Sequence, residues 1–246
     1  MDELKESVVR FEDLDGCQGD LEAVERFMAQ YASTEKEWKT RLTQSQDVIE
    51  WVKSPALIDR AIVWNLDEFV TRLRGSEDWN LSLLDVGCYA GYLRDFLMSS
   101  GFNDEYLSYT GIDIRPEVVA RAKELHEFKS AFFTVGSVFD LKRKVSEGNH
   151  DIVFCSRVLI HLPRFEEAVE NLVHAADDFV YIVTRVTPVG SCLLRRKIDE
   201  TRKETMTYFY RTVSLEDVRQ VALRCNTNHA IVGMDKPYQS IVLSKR

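Results

Sequence analysis

The stretch LLDVGCYAGYL, residues 83–93, decides how this chain folds. It begins as a short, mostly apolar run, typical of a strand buried inside a sheet, and the run carries Asp85 near its end. Gly87 then breaks the strand into a loop, and Gly91 opens a helix. Glycine in such a loop allows the backbone to approach a ligand where a Cβ would collide. The stretch therefore predicts a strand, a close-approach loop and a helix.

A single acidic residue, Asp113, follows the next apolar run of the chain. An acid that ends the second strand of such a unit is placed to accept hydrogen bonds from two ribose hydroxyls. The loop and the acid together predict a nucleoside-containing cofactor that lies across two strand ends. The alternative is an ordinary strand–turn–helix unit with no ligand.

The glycine spacing distinguishes between classes of nucleoside. A dinucleotide site uses Gly-x-Gly-x-x-Gly, so that the pyrophosphate meets a helix N-terminus. Here Gly87 and Gly91 are separated by Tyr89, and the three-glycine turn is missing. Asp85 would repel a pyrophosphate, whereas it suits a cationic ligand or an ammonium group. A nicotinamide oxidoreductase is therefore disfavoured.

These residues resemble the first motif of the class I S-adenosylmethionine-dependent methyltransferases, acid-x-Gly-x-Gly-x-Gly. Asp85, Gly87 and Gly91 match the motif, and Tyr89 stands at the middle glycine. S-adenosylmethionine carries a sulfonium and an amine, which suit the acid. The resemblance covers about residues 81–246 and implies S-adenosylmethionine as the cofactor, with S-adenosylhomocysteine as the product.

The order of elements along the chain is that of an α/β protein. Residues 116–127 follow Pro116 with apolar residues at helical spacing. Strands that alternate with helices imply a parallel sheet covered on both faces. The fold class is therefore a Rossmann-like, mostly parallel sheet, and the family has seven strands with the last one antiparallel. Further strands are predicted over 108–114, 131–135, 151–155, 179–183, 229–234 and 238–243.

The chain divides into a helical cap or lid, residues 1–80, and a cofactor-binding core, residues 81–246. The first eighty residues have a helical pattern throughout, and one reading is a structural cap on the sheet edge. The other reading is that the cap closes over the cofactor and contacts substrate, in which case Tyr31 and Trp38 are the aromatic residues that we select. Candidate helices cover about 20–31, 35–53 and 55–74.

Composition sets limits on the class of protein. The chain has 246 residues, of which 45% are hydrophobic and 29% charged, with a net charge of −8. These values are ordinary for a globular protein, and the negative charge argues against broad nucleic-acid binding. The five cysteines are scattered, with no Cys-x-x-Cys pair, which disfavours a zinc site or a disulfide framework. We expect no metal, no membrane span and no signal peptide, and reduced thiols in the cytoplasm.

The charge is unevenly distributed. Residues 1–30 hold nine acidic and three basic residues, and residues 191–211 hold six basic and three acidic ones. The basic segment fits a solvated amphipathic helix with i,i+4 ion pairs, or a positive lid over an anionic substrate.

The resemblance assigns cofactor contacts by position at the carboxyl ends of the strands. Asp85 acts near the methionine amine, and the backbone of Gly87 approaches the methionine and ribose. Asp113 holds the ribose hydroxyls, and Ile114 packs against adenine. Ser137 stands where the family often has an acid for the adenine amine; its alternative role is that of a turn residue. The predicted cofactor-binding set is Asp85, Gly87, Cys88, Tyr89, Gly91, Asp113, Ile114, Ser137, Val138, Phe139, Cys155, Ser156 and Arg157.

The acceptor side is predicted from the later strand exits. His161 follows the fourth strand and is our candidate general base, with a packed imidazole as the alternative. Arg185, at the end of the fifth strand, has the guanidinium needed to hold a carboxylate or phosphate. Tyr208, Tyr210 and Arg211 precede a helix capped by Ser214, and their alternative role is core packing on a short strand.

The predicted activity is methyl transfer to an oxygen or nitrogen of a small, anionic or sugar-like acceptor. The chain lacks the Asn/Asp-Pro-Pro-Tyr/Phe motif of amide and adenine methylation, the acid cluster of magnesium-dependent catechol methylation, and the Pro-Cys nucleophile of cytosine methylation. A catalytically silent cofactor-binding partner subunit, which would use the acidic N-terminal arm to dock, is the alternative.

Overall fold

The structure is a computed structural model that describes residues 9–13, 66–75, 80–127, 131–141, 150–162, 164–199, 204–234 and 238–245. For residues 9–13, 192–199 and 204–209 it describes the backbone only.

Eleven strands and five α-helices are found in the described residues. The strands are β1 Val9–Asp13, β2 Leu81–Val86, β3 Leu107–Asp113, β4 Ala131–Val135, β5 His150–Ser156, β6 Ala176–Thr184, β7 Val186–Thr187, β8 Ser191–Asp199, β9 Glu204–Ser214, β10 Thr227–Val232 and β11 Gln239–Lys245. The helices are α1 Leu66–Arg74, α2 Tyr92–Ser99, α3 Pro116–Leu125, α4 Phe165–Ala175 and α5 Leu215–Arg224. Short 3-10 turns cover Val138–Asp140 and Leu159–His161.

The main sheet has seven strands in the order β10-β11-β6-β5-β2-β3-β4. The pairs among β4, β3, β2, β5 and β6 are parallel, and β11 runs antiparallel to both of its neighbours. The predicted fold class and the antiparallel last strand are therefore confirmed. The order places β2 next to β3 and β5, so the residues that follow these three strands share one edge.

Helices cover both faces of this sheet because each helix has an apolar stripe to bury. On one face, α1, α2 and α3 pack against Leu83, Phe154 and Tyr181. On the other face, α4 and α5 pack against Leu84, Val153 and other strand residues. With apolar groups on both sides, β2 is buried along nearly its whole length, which explains its near-continuous apolar sequence.

The helix signals in the sequence predict the starts of two helices. Pro116 occupies the first turn of α3, where its missing N–H leaves no hydrogen bond unmade. Ser214 caps α5 as expected: its hydroxyl accepts the Asp217 N–H at 3.0 Å, and the Asp217 carboxylate accepts the Ser214 N–H at 2.7 Å. None of the helices in the described part of the chain is long and apolar enough to cross a membrane.

A second sheet, which the sequence did not predict, has four strands in the order β1-β8-β9-β7. The basic segment 191–211 is not helical where the structure describes it: residues 191–199 and 204–211 lie in β8 and β9, which pair antiparallel with Ser191 opposite Thr212 and Asp199 opposite Glu204. The backbone hydrogen bonds between the two strands replace those of a helix.

The expectation that residues 1–80 are helical throughout is wrong for Val9–Asp13, which pairs antiparallel with β8. The register sets Glu12 opposite Arg196 and Asp13 opposite Arg195, so two acidic residues of β1 face two basic residues of β8. Of the predicted helix 55–74, residues 55–65 lie outside the described residues, and Leu66–Arg74 is helical. The predicted helices 20–31 and 35–53 lie outside the described residues.

Candidate active site

The glycine loop after β2 keeps a left-handed path at every second residue. Gly87, Tyr89 and Gly91 have φ values of 80°, 52° and 84°. Tyr89, which stands at the position of the middle glycine, therefore adopts a left-handed conformation at a cost of about 1–2 kcal/mol for a residue with a Cβ. Two contacts offset this cost: the Tyr89 N–H donates to the Asp113 carboxylate at 3.2 Å, and the Arg115 guanidinium lies 5.1 Å from the Tyr89 ring centre.

Close neighbours explain why the outer two positions are glycine. A Cβ on Gly87 would lie 2.2 Å from Cγ2 of Val158, which follows β5. A Cβ on Gly91 would lie 2.4 Å from Nε2 of His126, at the end of α3. The His126 ring is buried, stacks on Phe133 and sets its Nε2 3.2 Å from the Ala90 carbonyl oxygen. The loop is therefore held from both sides, and His126 has a structural role here.

Asp113 ends β3 with its carboxylate pointing into the loop. One oxygen accepts the Arg115 backbone N–H at 3.0 Å and the Arg115 Nε–H at 3.1 Å. The other accepts the Tyr89 N–H. Sequence reasoning missed Arg115, although its place two residues after the acid allows an arginine side chain to reach back to it.

Asp85 is buried below the loop, and the Tyr109 hydroxyl from β3 donates a hydrogen bond to it. Burial raises the pKa of Asp85 to about 7; the Tyr109 hydrogen bond lowers it, and the nearby charge of Asp113 raises it. Asp85 therefore changes its charge near neutral pH. Tyr109 was missed from sequence because it reads as an ordinary core residue of its strand.

Two predicted cofactor residues have deeply buried side chains. The Cys88 side chain is 3% exposed and packs in the core near Gly111, where a Cβ would lie 2.9 Å from its sulfur. The Cys155 side chain is fully buried in the core on the other face of the sheet. Burial raises the pKa of both thiols, so they remain protonated. Neither thiol is therefore open to a ligand at this edge.

The predicted adenine-side residues lie after β3 and β4. Ile114 is 48% exposed beside the buried Asp113, so its side chain is open to a ligand. The Ser137 hydroxyl accepts the Phe139 N–H at 3.2 Å and caps the turn that contains Val138, as the turn-residue alternative expects. Phe139 is partly buried and lies 4.3 Å below the Arg164 guanidinium.

Residues after β5 and β6 bring cations to the same edge. Arg157 follows Ser156 with φ 59°, and its backbone N–H donates to the Val183 carbonyl at 2.8 Å. Its guanidinium lies 5.1 Å from the ring centre of Tyr238, a residue that sequence reasoning did not select. Arg157, after β5, and Tyr238, just before the antiparallel strand β11, thus come together at this edge.

The predicted substrate residues do not all come together, because consecutive residues of β9 have different contacts. The Arg185 guanidinium donates to the Tyr210 hydroxyl at 3.3 Å, so this pair is brought together. Arg211 instead donates to Glu166 at 3.1 Å and lies 5.0 Å from the Phe165 ring centre, both at the start of α4. This arrangement fits the packing alternative for Arg211. For Tyr208 only the backbone is described, opposite Arg195.

His161 ends the 3-10 turn after β5 and is partly exposed. Its neighbour Ile160 packs against Tyr210 and Tyr238, which puts the turn beside the cationic end of the edge. Tyr31 and Trp38 lie outside the described residues.

A family model described as a methyltransferase domain matches residues 77–242. The match covers well over half of the chain, which therefore belongs to the methyltransferase domain family. The resemblance to class I S-adenosylmethionine-dependent methyltransferases is confirmed, and the protein is an enzyme of that class.

Solved structures share the fold at low identity. Magnesium protoporphyrin IX methyltransferase from Synechocystis PCC 6803, with bound S-adenosylmethionine, is 17% identical with a TM-score of 0.54, over 92% of this chain and 98% of its own. The amino pentose methyltransferase CalS10 from Micromonospora echinaspora is 14% identical with a TM-score of 0.56, over 81% and 96%. A DhpI complex with S-adenosylhomocysteine is 16% identical with a TM-score of 0.59, over 81% and 91%. No curated protein sequence matches the chain.

Proposed function

We propose that this enzyme transfers a methyl group from S-adenosylmethionine to an oxygen or nitrogen of a small anionic or sugar-like molecule. The observation that carries the proposal is the corner formed by the left-handed loop 87–91 and the buried carboxylate of Asp113. Several fold neighbours, by their descriptions, act on small molecules such as a porphyrin or an amino sugar.

The residues of the corner fit the cofactor. Gly87 and Gly91 lack a Cβ, which lets Val158 and His126 pack against the loop and fix its left-handed path after β2. We assign Asp113 to the ribose hydroxyls and the exposed face of Ile114 to adenine. Asp85, when ionised, supplies negative charge near the methionine amine. Ser137 and the backbone of Val138 and Phe139 border the adenine.

When bound, S-adenosylmethionine supplies the electrophilic methyl group for an in-line displacement. The chain's own task is to hold the acceptor atom in line and, for a hydroxyl acceptor, to take its proton. We assign His161 to accept that proton, because its turn packs on Tyr210 beside Arg185.

Two further expectations are part of the proposal. Residues 1–80 form a cap over the core, to which α1 contributes Phe69 and Leu73. Tyr31 and Trp38 of this cap are assigned to substrate. The enzyme works in the cytoplasm on a small-molecule acceptor, without nucleic acid, membrane or metal.

Calorimetry and an assay for methylated product together distinguish the proposal from its alternatives. We expect the full chain to bind S-adenosylhomocysteine and not NAD, and to form methylated product with members of a panel of hydroxyl and amine acceptors. Binding of NAD alone would contradict the proposal. Cofactor binding without product from any acceptor would favour the silent partner subunit.

A further inference from the structure

We infer that Arg157, Arg185, Tyr210 and Tyr238 form a subsite for an oxyanion, a carboxylate or a phosphate, carried by the methyl acceptor. The inference rests on the proposed function and names the chemical group by which its acceptor is held. We call these four residues the oxyanion subsite.

The backbone brings three of the four residues to adjacent strand ends of the main sheet. Arg157 and Arg185 follow the neighbouring strands β5 and β6, and the Arg157 N–H is bonded to β6 at Val183. Tyr238 immediately precedes Gln239, which pairs with Thr184. Arg157, Arg185 and Tyr238 therefore lie side by side along one edge.

The side chains connect these strand ends to one another. The Arg157 guanidinium lies 5.1 Å from the Tyr238 ring centre, and Tyr238 packs with Ile160 and Tyr210. The Tyr210 hydroxyl accepts a hydrogen bond from Arg185 at 3.3 Å. The Arg157 guanidinium thus has a cation–π contact with a neutral ring, and the Arg185 guanidinium has a hydrogen bond to a neutral hydroxyl.

Hydrogen bonds hold the backbone at Arg185 in place. Its carbonyl accepts the Val213 N–H at 3.0 Å, and the next N–H, of Val186, donates to the buried Gln239 side chain at 2.7 Å. The residue itself is exposed. Among the described residues, the Tyr210 hydroxyl is the polar contact of its guanidinium, and no carboxylate pairs with it. A guanidinium has five N–H donors, so most remain for a ligand.

The charges at the edge favour an anion here. The Asp113 carboxylate is bound by Arg115, and Asp85 is buried below the loop. Arginine binds carboxylate and phosphate through two parallel N–H···O bonds, which makes it a specific ligand for these groups. The rings of Tyr210 and Tyr238 add apolar walls.

The subsite also lies beside the site proposed for the cofactor. Val158, the residue after Arg157, fills the space where Gly87 would carry a Cβ. An acceptor anchored at Arg157 and Arg185 is therefore held next to the glycine loop, where the methyl donor is assigned.

The test is calorimetric titration of the full chain, saturated with S-adenosylhomocysteine, with phenyl phosphate, benzoate and neutral benzamide. We expect phenyl phosphate, benzoate or both to bind and benzamide to bind at least tenfold more weakly. Arg185→Gln should weaken the binding of the anion at least tenfold, and Arg185→Lys should restore part of it. Arg121→Gln is the matched control, because Arg121 is an exposed arginine on α3 paired with Glu124; it should leave anion binding unchanged.

The outcomes are distinct. Preference for phenyl phosphate or for benzoate assigns the acceptor group as phosphate or carboxylate. Equal binding of benzamide, no binding of either anion, or unchanged anion affinity in Arg185→Gln overturns the inference. If S-adenosylhomocysteine still binds in that case, the proposed function stands without the subsite. If it does not bind to the unaltered chain, the proposed function fails first.

Discussion

The two halves of the carboxyl edge of the main sheet differ in charge and in exposure. After β2 and β3, the carboxylates of Asp85 and Asp113 are nearly buried and held by Tyr109 and by Arg115. After β5 and β6, Arg157 and Arg185 are more exposed. The Arg157 guanidinium lies over the Tyr238 ring, and the Arg185 guanidinium donates a hydrogen bond to the Tyr210 hydroxyl. The acidic half thus suits a cationic donor held in a fixed corner, and the basic half an anionic acceptor that arrives from solvent.

The largest effect is expected in the basic half, at His161. If His161 takes the acceptor proton, His161→Ala should lower kcat about 100-fold for a hydroxyl acceptor, because the proton then has no positioned base. Steady-state kinetics with an acceptor from the panel measures this. His174→Ala, an exposed histidine on α4, is the control and should leave kcat unchanged. A His161→Ala enzyme with full kcat would reduce His161 to a packing role.

In the acidic half, Asp113→Ala should weaken S-adenosylhomocysteine binding by about 1–3 kcal/mol, the usual cost of losing charge-assisted hydrogen bonds. Calorimetry gives the change directly. Asp140→Ala provides the comparison, since Asp140 is an exposed carboxylate after β4. Unchanged affinity in the Asp113 variant would remove the ribose assignment.

The acidic half should also respond to pH through Asp85. Its pKa of about 7 means that the carboxyl is largely protonated below that pH and attracts an ammonium group only above it. We expect S-adenosylhomocysteine affinity to fall about tenfold between about pH 8 and about pH 6. Asp85→Asn should abolish this trend. An affinity of the unaltered enzyme that does not change with pH would mean that the charge of Asp85 does not act on the ligand.

The raised pKa of Asp85 also makes the stability of the folded protein depend on pH, but in the opposite direction: ligand affinity rises with pH, whereas stability falls. The folded state binds the Asp85 proton more tightly than the unfolded state does, so this contribution to stability is complete below the unfolded pKa, near about 4. It is lost as the pH rises through about 7. Urea unfolding from about pH 5 to about pH 8 should show a steeper fall in stability for the unaltered protein than for Asp85→Asn.

A substitution at Arg211 tests whether two consecutive residues of β9 have different roles, Tyr210 in anion binding and Arg211 in stability. Arg211→Gln should lower the free energy of unfolding by about 1 kcal/mol, because it removes the hydrogen bond to Glu166. Anion binding at the oxyanion subsite should not change. Loss of anion binding with unchanged stability would place Arg211 with Tyr210 instead.

The smallest effect is expected at the loop. Tyr89→Ala keeps the left-handed backbone and loses the contact with Arg115, whereas Tyr89→Gly loses the contact but relieves the backbone. We expect the glycine variant to be more stable than the alanine variant by less than about 1 kcal/mol, since glycine also loses more entropy on folding. Equal or reversed stabilities would mean that the backbone strain at Tyr89 is negligible.

Much of the main sheet follows from local sequence. Each of its parallel strands is a short apolar run, and Pro116 and Ser214 mark the starts of α3 and α5. The second sheet did not follow, because β1 and β8 are nearly two hundred residues apart and local patterns contain no record of such a pairing. The charges of Arg195, Arg196 and Lys197 suggested a solvated helix, although the following strand is rich in aromatic and β-branched residues.

The candidate site was predictable only where a motif marks it. The glycines and Asp113 belong to a recognisable spacing, and the structure brings them together. Tyr109, Arg115 and Tyr238 come from separate elements, and their importance depends on which strands are neighbours. Successive side chains of a strand point to opposite faces, but the faces of β9 could not be assigned before its register was known. Arg211 was therefore grouped with Tyr210.

Strand β1 has a practical consequence for handling the protein. It covers one side of β8, whose N–H and C=O groups would otherwise be open. An uncovered sheet edge pairs readily with strands of other molecules, which leads to aggregation. A shortened chain that starts at Leu66 would retain the seven-stranded sheet yet tend to precipitate or self-associate, and its poor solubility would arise from one missing strand near the amino terminus.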